Sequence, residues 1–385
     1  MGDLAAAEDA VQEACLAAVT QWPVNPPANP RAWLIATARH KALDHVRRET
    51  GRASREMAAV REWELPSMPA GTTAEAGADE RLGLMFMCCH PALDSDTRVA
   101  LTLRAVCGLT AGEIARVFLI SEPAASKRLV RARRKIRESG IRLAVPVPEE
   151  LAERLEAVLR VILLVFTEGH RATTGPHLVR EELCVLAIDV ARELLAMLPG
   201  EPEATGLLAL LLFTHARRHA RTDEHGDAVL LEEHDRTRYD HALAGEGDRL
   251  LEQVLRRGQP GPYQLQAAIS ACHTTAPTAA ATDWREIAAL YGELLRHEAS
   301  PVHEANRAIA VAMAEGPSAG LVILDAIAHH PQLTRWPTLH VARADLLIRL
   351  GRTGDAREAY CLALELDPGT AERSFIQRRL SQITG

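Results

Sequence analysis

Aromatic side chains are scarce in this chain: five Trp, four Tyr and five Phe make up 4% of 385 residues. Sheets favour aromatic and β-branched residues, whereas the Ala, Leu, Arg and Glu that dominate here favour helix, so an all-α fold is expected. No apolar run reaches the length of a membrane span. The start, MGDLAAAEDAV, is acidic instead of basic and then apolar, so no secretory leader is expected either. The seven cysteines (Cys15, Cys88, Cys89, Cys107, Cys184, Cys272 and Cys361) are odd in number and contain no CxxC pair. That argues against a disulfide framework or a zinc ribbon and for buried or incidental thiols. Neither a GxxxxGKS/T phosphate loop nor a GxGxxG turn is present, so nucleotide chemistry has no cradle. These absences leave a cytoplasmic, non-enzymatic, helical protein with no cofactor.

Basic charge is short in the second part of the chain. Residues 146–385 hold 24 Lys/Arg against 34 Asp/Glu, while residues 1–145 hold 20 against 17. Nucleic acid is therefore expected to meet the first part only.

The richest stretch within that part is RVALTLRAVCGLTAGEIARVFLISEPAASKRLVRARRKIRESGIR, residues 98–142. Thr110 is placed to cap a helix from Ala111 to Phe118. Leu119-Ile120-Ser121 forms a three-residue turn, and Ser121, Glu122 and Pro123 open a second helix. Two helices joined so tightly form a helix-turn-helix unit. At 100° per residue, Ala125, Leu129, Ala132 and Ile136 make a core-facing stripe, opposite Ala124, Lys127, Arg131, Arg134 and Lys135. Between Ser121 and Arg142 there are eight Lys/Arg and two Glu, a pattern suited to a recognition helix in a major groove. A solvated basic helix has the same pattern.

Earlier in the chain, residues 3–20 predict an amphipathic helix with Leu4, Ala7, Val11 and Ala14 or Cys15 on one face. PVNPPANP ends it. Asn29 and Pro30 then start RAWLIATARHKALDHVRRE, with Leu34, Ile35, Ala38, Ala42 and Val46 inward. Arg31 to Arg61 carry eight basic and three acidic residues, a second plausible nucleic-acid surface. Residues 63–79 read as a flexible linker rich in Pro, Gly, Ala and Thr, and VPVP at 145–148 as another break.

Two basic helical modules on a tether resemble the extracytoplasmic-function class of bacterial RNA polymerase sigma factors. AEDAVQEAC is similar to the helix of region 2 that binds core polymerase, which implies that role for Asp9, Gln12 and Glu13. PRAWLIATARHKALDHVRR resembles the segment that melts and reads the −10 element, implying DNA contacts from Trp33, Arg39, His40, Asp44, Arg47 and Arg48. GLTAGEIARVFLISEPAASKRLVRARRKI resembles region 4, which reads the −35 element; the implied contacts are Ser121, Ala124, Lys127, Arg128, Arg131, Arg134 and Lys135. LMFMCCHPAL followed by RLVRARRKI resembles the subgroup with a long helical C-terminal extension. The resemblance thus implies region 2 over residues 1–62, region 4 over 80–145 and an all-helical extension over 149–385. Its implied partners are core polymerase and promoter DNA, and its implied location is the nucleoid. Cys15 stands where an aromatic is usual and His40 where Asn is common. Family members carry a further helix before GDLAAAEDA, so weak polymerase binding, improved by restoring upstream codons, is an expectation.

In the extension, LAERLEAVLRVILLVFTEGH is apolar nearly all round and is expected to be buried and to end at Gly169. Its Thr167-Glu168-Gly169-His170 partly matches an Asn-Glu-Gly-Tyr-like motif of the subgroup. Helices are expected near 177–198, 203–220, 234–257 and 263–272. Ala356, Tyr360, Ala363 and Pro368 repeat the spacing of Ala319, Ile323, Ala326 and Pro331, a tetratricopeptide-like pattern over about 283–385. Such repeats offer a surface for a protein partner, or else simply pack on one another. His215 and His219 lie i, i+4 but lack the acidic neighbour of a zinc motif, and Cys88-Cys89-His90 cannot converge on a helix, so no metal site is expected. Two other functions fit the same residues: a helix-turn-helix regulator independent of polymerase, and a repeat-type interaction scaffold with a degenerate sigma half.

Overall fold

The computed structural model describes residues 4–42 and 75–384, apart from 24–25, 28, 31–32, 119, 142–144, 171–179, 224–228, 367 and 369. Among these residues the chain is all-helical, with no β-strand. The helices are α1 (Leu4–Gln21), α2 (33–42), α3 (Glu75–Cys88), α4 (Ser95–Ala105), α5 (Ala111–Phe118) and α6 (Glu122–Glu138). The extension follows with α7 (Pro148–His170), α8 (Glu181–Met197), α9 (Pro202–Ala216), α10 (His241–Leu255), α11 (Pro262–Thr275) and α12 (Trp284–His297). It ends with α13 (Pro301–Glu315), α14 (Pro317–Ile327), α15 (Pro337–Arg349), α16 (Thr353–Glu365) and α17 (Thr370–Thr384). Proline opens α7, α9, α11, α13, α14 and α15, where its missing N–H has no intrahelical partner to lose. Asp94, Asp240, Asp283 and Ser300 cap α4, α10, α12 and α13 through their side chains.

Between α1 and α2, the Trp22 and Trp33 rings meet edge to face at 5.6 Å, and Glu13 pairs with Lys41 at 3.5 Å. The buried stripe of α1 is Ala10, Ala14 and Ala18: Ala14 lies on the predicted face, but Val11 is 52% exposed and Cys15 is also exposed. On α2, Ala42 is buried but Ile35 is 60% exposed. Alanines let two helices approach closely, so they take the seam and turn the larger side chains out. Val46 lies outside the described residues. So does the segment read as a linker, up to Glu75, where helix α3 has already begun.

One hydrophobic core runs unbroken from α3 to α9. It joins Met85, Phe86 and Cys88 of α3 and Leu101 of α4 to Ile114 of α5 and Leu129 and Ile136 of α6. It continues through Leu159, Ile162 and Phe166 of α7 to Ile188 and Leu207. The helix-turn-helix and the start of the extension are thus packed together across the Val145–Val147 break. Arg154 of α7 reinforces the junction by donating to the Phe86 carbonyl at 3.4 Å. Helix α7 is buried as expected except along a strip that includes Glu156, Arg160 and Leu164. It runs through Gly169 to His170. Gly169 does not terminate the helix; a Cβ there would lie 2.8 Å from the Cys184 amide nitrogen, so glycine permits the close crossing with α8.

Helices α9 and α11 pack on each other as well as on α10, and from α12 onward each helix packs chiefly on its sequence neighbours, the arrangement of a repeat solenoid. The end of the chain has its own core around Ala356, Tyr360 and Ala363. The Tyr360 hydroxyl donates to Asp345 at 2.5 Å, and Arg379 of α17 donates to the same carboxylate at 3.1 Å. The earlier copy of the repeat sits one residue later than its alanines predicted. Gly320 and Leu324 are buried, whereas Ala326 is exposed and Ala319 only half-buried. Gly320 is the crossing point, because a Cβ there would meet the Ala308 carbonyl oxygen and the Ala312 Cβ, both at 2.4 Å. Gly320→Ala is expected to destabilise the region by about 1–3 kcal/mol through overpacking. A urea midpoint equal to that of the parent would contradict this.

Candidate nucleic-acid interface

The helix-turn-helix is fixed by local chemistry. The Thr110 amide donates to Glu113 Oε2 at 2.7 Å and the Glu113 amide to Thr110 Oγ1 at 3.2 Å, a reciprocal cap that starts α5 where predicted. Helix α6 begins at Glu122 as expected, with Ser121 in extended backbone, but the Ser121 hydroxyl makes no capping bond. The reason is its neighbour. A capping side chain bonds the second or third amide of the helix; the second residue is Pro123, which has none, and the third, Ala124, already donates to the Ser121 carbonyl at 2.9 Å. Ser121 is exposed.

Ala125, Leu129, Ala132 and Ile136 are all buried, the stripe the sequence period requires. Lys127, Arg131, Arg134 and Lys135 project outward and Ala124 lies half-buried at the edge of their face. Arg128 behaves differently. Its guanidinium sits 4.8 Å over the Phe118 ring and 3.2 Å from Asp96, so it ties α6 to α5 and α4. Arg134 pairs with Glu138 at 3.4 Å, both well exposed, a contact worth little and easily exchanged for another anion. A groove of about 420 Å³ runs between the start of α4 (Leu93, Asp94, Thr97) and Arg131, Arg134 and Lys135 of α6. Cations along one lip of such a groove suit a sugar–phosphate strand, while the outer face of α6 is free to meet base edges. Sequence reasoning passed over Val130, which is 62% exposed among these cations; its signal is a β-branched residue on the polar side of the helical wheel.

The turn that holds α4 in place uses the LMFMCCHPAL segment. Arg98 donates to the carbonyls of Leu93 (2.8 Å), Pro91 (3.0 Å) and His90 (3.2 Å). Cys88 and Cys89 are buried, and burial pushes the Cys89 thiol up to about 11, so it stays protonated and packs as a small apolar group. The histidine pair of the extension is separated by a change of structure: α9 ends at Ala216 and His219 lies in a 3₁₀ turn, not one helical turn further along. Burial lowers the His215 imidazole to about 4. Gly316-Pro317-Ser318-Ala319-Gly320 has the spacing of a nucleophile elbow, but it joins two helices and leaves Ser318 exposed, without the strand that motif requires.

In the first module, Gln12 and Glu13 are exposed on α1, and Asp9 lies on the same helix. Trp33 is half-buried against Trp22, and Arg39 and His40 are exposed on α2. Asp44, Arg47 and Arg48 lie outside the described residues.

Two family matches coincide with these two modules. The Sigma-70 region 2 family matches residues 1–52, and the Sigma-70 region 4 family matches residues 83–136, the helices α3 to α6 built around the basic face. The chain carries the two sigma-70 regions and is similar to the extracytoplasmic-function sigma factors. A probable ECF RNA polymerase sigma factor, SigI, from two strains of Mycobacterium tuberculosis is 30% identical over 147 residues, 38% of this chain and 50% of that protein. An uncharacterized protein of Rhizobium meliloti (strain 1021) is 41% identical over 98% of this chain and 90% of its own length. The family of unknown function DUF6596 matches residues 154–255, α7 to α10 of the sigma factor's extension. That match begins at Arg154, the residue that bonds α7 to α3. No described helix is long and apolar enough to cross a membrane. The sigma factor's role is in transcription initiation, through regions 2 and 4.

Proposed function

We propose that this sigma factor binds core RNA polymerase and directs it to promoters, with its extension acting as a regulatory brace on region 4. Asp9, Gln12 and Glu13 of α1 dock on polymerase. Among the described residues Glu13 is held by an exposed pair with Lys41, which is released at small cost on docking. Trp33, Arg39, His40, Asp44, Arg47 and Arg48 engage the −10 strand. Helix α6 enters the −35 major groove, with Lys127 and Ala124 toward bases and Arg131, Arg134 and Lys135 toward phosphates. Arg128 holds the helix at its angle, and the exposed Ser121 meets the DNA backbone at the start of α6. Helices α12 to α17 offer the surface for a further protein partner, and the protein works at the nucleoid.

The observation that carries this reading is the outer face of α6: four exposed cations above an apolar stripe locked into a core. Run-off transcription with purified core enzyme tests it. Transcripts from selected promoters are expected only when the chain is added. Duplex binding unchanged by core enzyme, with no transcript, would instead mark a regulator independent of polymerase.

A further inference from the structure

Val130 is 62% exposed in the middle of a helix that otherwise presents charge to solvent. A β-branched residue at an exposed helix position gives up helix propensity, so its methyl groups stabilise nothing in the chain itself. By helical spacing Val130 lies beside Lys127 (i−3) and Arg134 (i+4) on the outer face, and both are exposed. It sits about 12 Å along the axis from Glu122, within the part of a recognition helix that a major groove accommodates. Cations on either side can hold phosphates or guanines, but only an apolar group between them can detect the one apolar mark on a base edge, the 5-methyl group of thymine.

We propose that Val130 is a specificity-determining residue of α6, packing its methyl groups on a thymine methyl in the −35 duplex. This rests on the assignment of α6 to that groove. The test uses the full chain with core polymerase and duplexes selected by the wild-type complex from a randomised pool. Each thymine in the selected element is then replaced singly by deoxyuridine, which removes only the methyl group. Binding is measured for the wild type and for Val130→Ala, a change that favours helix and leaves the buried stripe intact.

One thymine position is expected to lose about fourfold in wild-type affinity on replacement, the effect of a single buried methyl group. Val130→Ala should show the same loss on the thymine duplex and no additional loss on the deoxyuridine duplex. An equal deoxyuridine effect in both proteins at every position would overturn the proposal, and so would full affinity of Val130→Ala for the thymine duplex. A wild-type complex that selects no sequence overturns promoter reading by α6 as a whole, and this inference with it. Sequence selection without coupling at Val130 overturns this inference alone. If Val130→Ala weakens transcription while leaving every duplex affinity unchanged, the residue meets protein and not thymine.

Discussion

Truncation after Val145 is expected to abolish promoter-directed transcription and to leave the remaining protein prone to aggregation. The reason is the shared core. Leu155, Val158, Leu159 and Ile162 of α7 belong to the same apolar cluster as Met85, Phe86 and Leu101. The cut removes those four and uncovers Met85, Phe86 and Leu101. At about 1.5–3 kcal/mol for each large apolar side chain, uncovering three costs an amount comparable to the roughly 5–15 kcal/mol that keeps a domain folded. The cut also removes Arg154, which donates to Phe86 at this junction. The acidic extension has a second physical option, which is to cover the cations of α6 and inhibit. The brace is favoured because α7, which packs mainly on α8, also lays part of its apolar face on α3 and α4, while Lys127, Arg131, Arg134 and Lys135 remain exposed. Run-off transcription and sedimentation of the two lengths side by side decide the matter. A truncated protein that is soluble and as active as the full chain would remove the brace from the account.

The second large effect concerns phosphate contacts. Replacing Arg131, Arg134 and Lys135 together by alanine is expected to lower −35 duplex affinity about 10- to 100-fold at physiological salt, to similar extents for different sequences. The plot of log affinity against log salt should become shallower by about 2.7, near 0.9 for each lost contact. These side chains are exposed and outside the buried stripe, so folding should be unaffected. Substitutions at Ala124 or Lys127 should instead change which sequence is preferred, because they lie nearer the end of the helix that faces bases. Binding across a salt series and selection from a randomised duplex pool measure both quantities. If the triple variant altered base preference and kept its overall affinity, the orientation assigned to α6 would be wrong.

How much of this was legible in the sequence depends on how local the deciding forces are. The bounds of α5 and α6 followed from neighbours within four residues: the Thr110–Glu113 cap, Pro123 and the turn between them. The buried stripe Ala125, Leu129, Ala132 and Ile136 followed from helical period alone, because only one face of α6 is apolar. The all-helical character of the described residues was readable in the same way, from composition, whereas the sigma regions were legible only through their resemblance to a known family.

Tertiary structure decided whatever depended on which surface came to meet another. Arg128 looked equivalent to its basic neighbours until Phe118 and Asp96 arrived from two other helices. The seam of α1 runs along Ala10, Ala14 and Ala18, and the crossing in α14 falls on Gly320 and not on Ala319. In both, adjacent small or apolar residues compete for one seam, and the crossing of the partner helix selects between them. The same holds for the break at Val145–Val147. Helix α6 has already ended at Glu138, and proline keeps the join from continuing as helix by a local clash and a missing donor. Whether the segments on either side separate or share a core depends on apolar faces far apart in the chain, which only folding brings into contact.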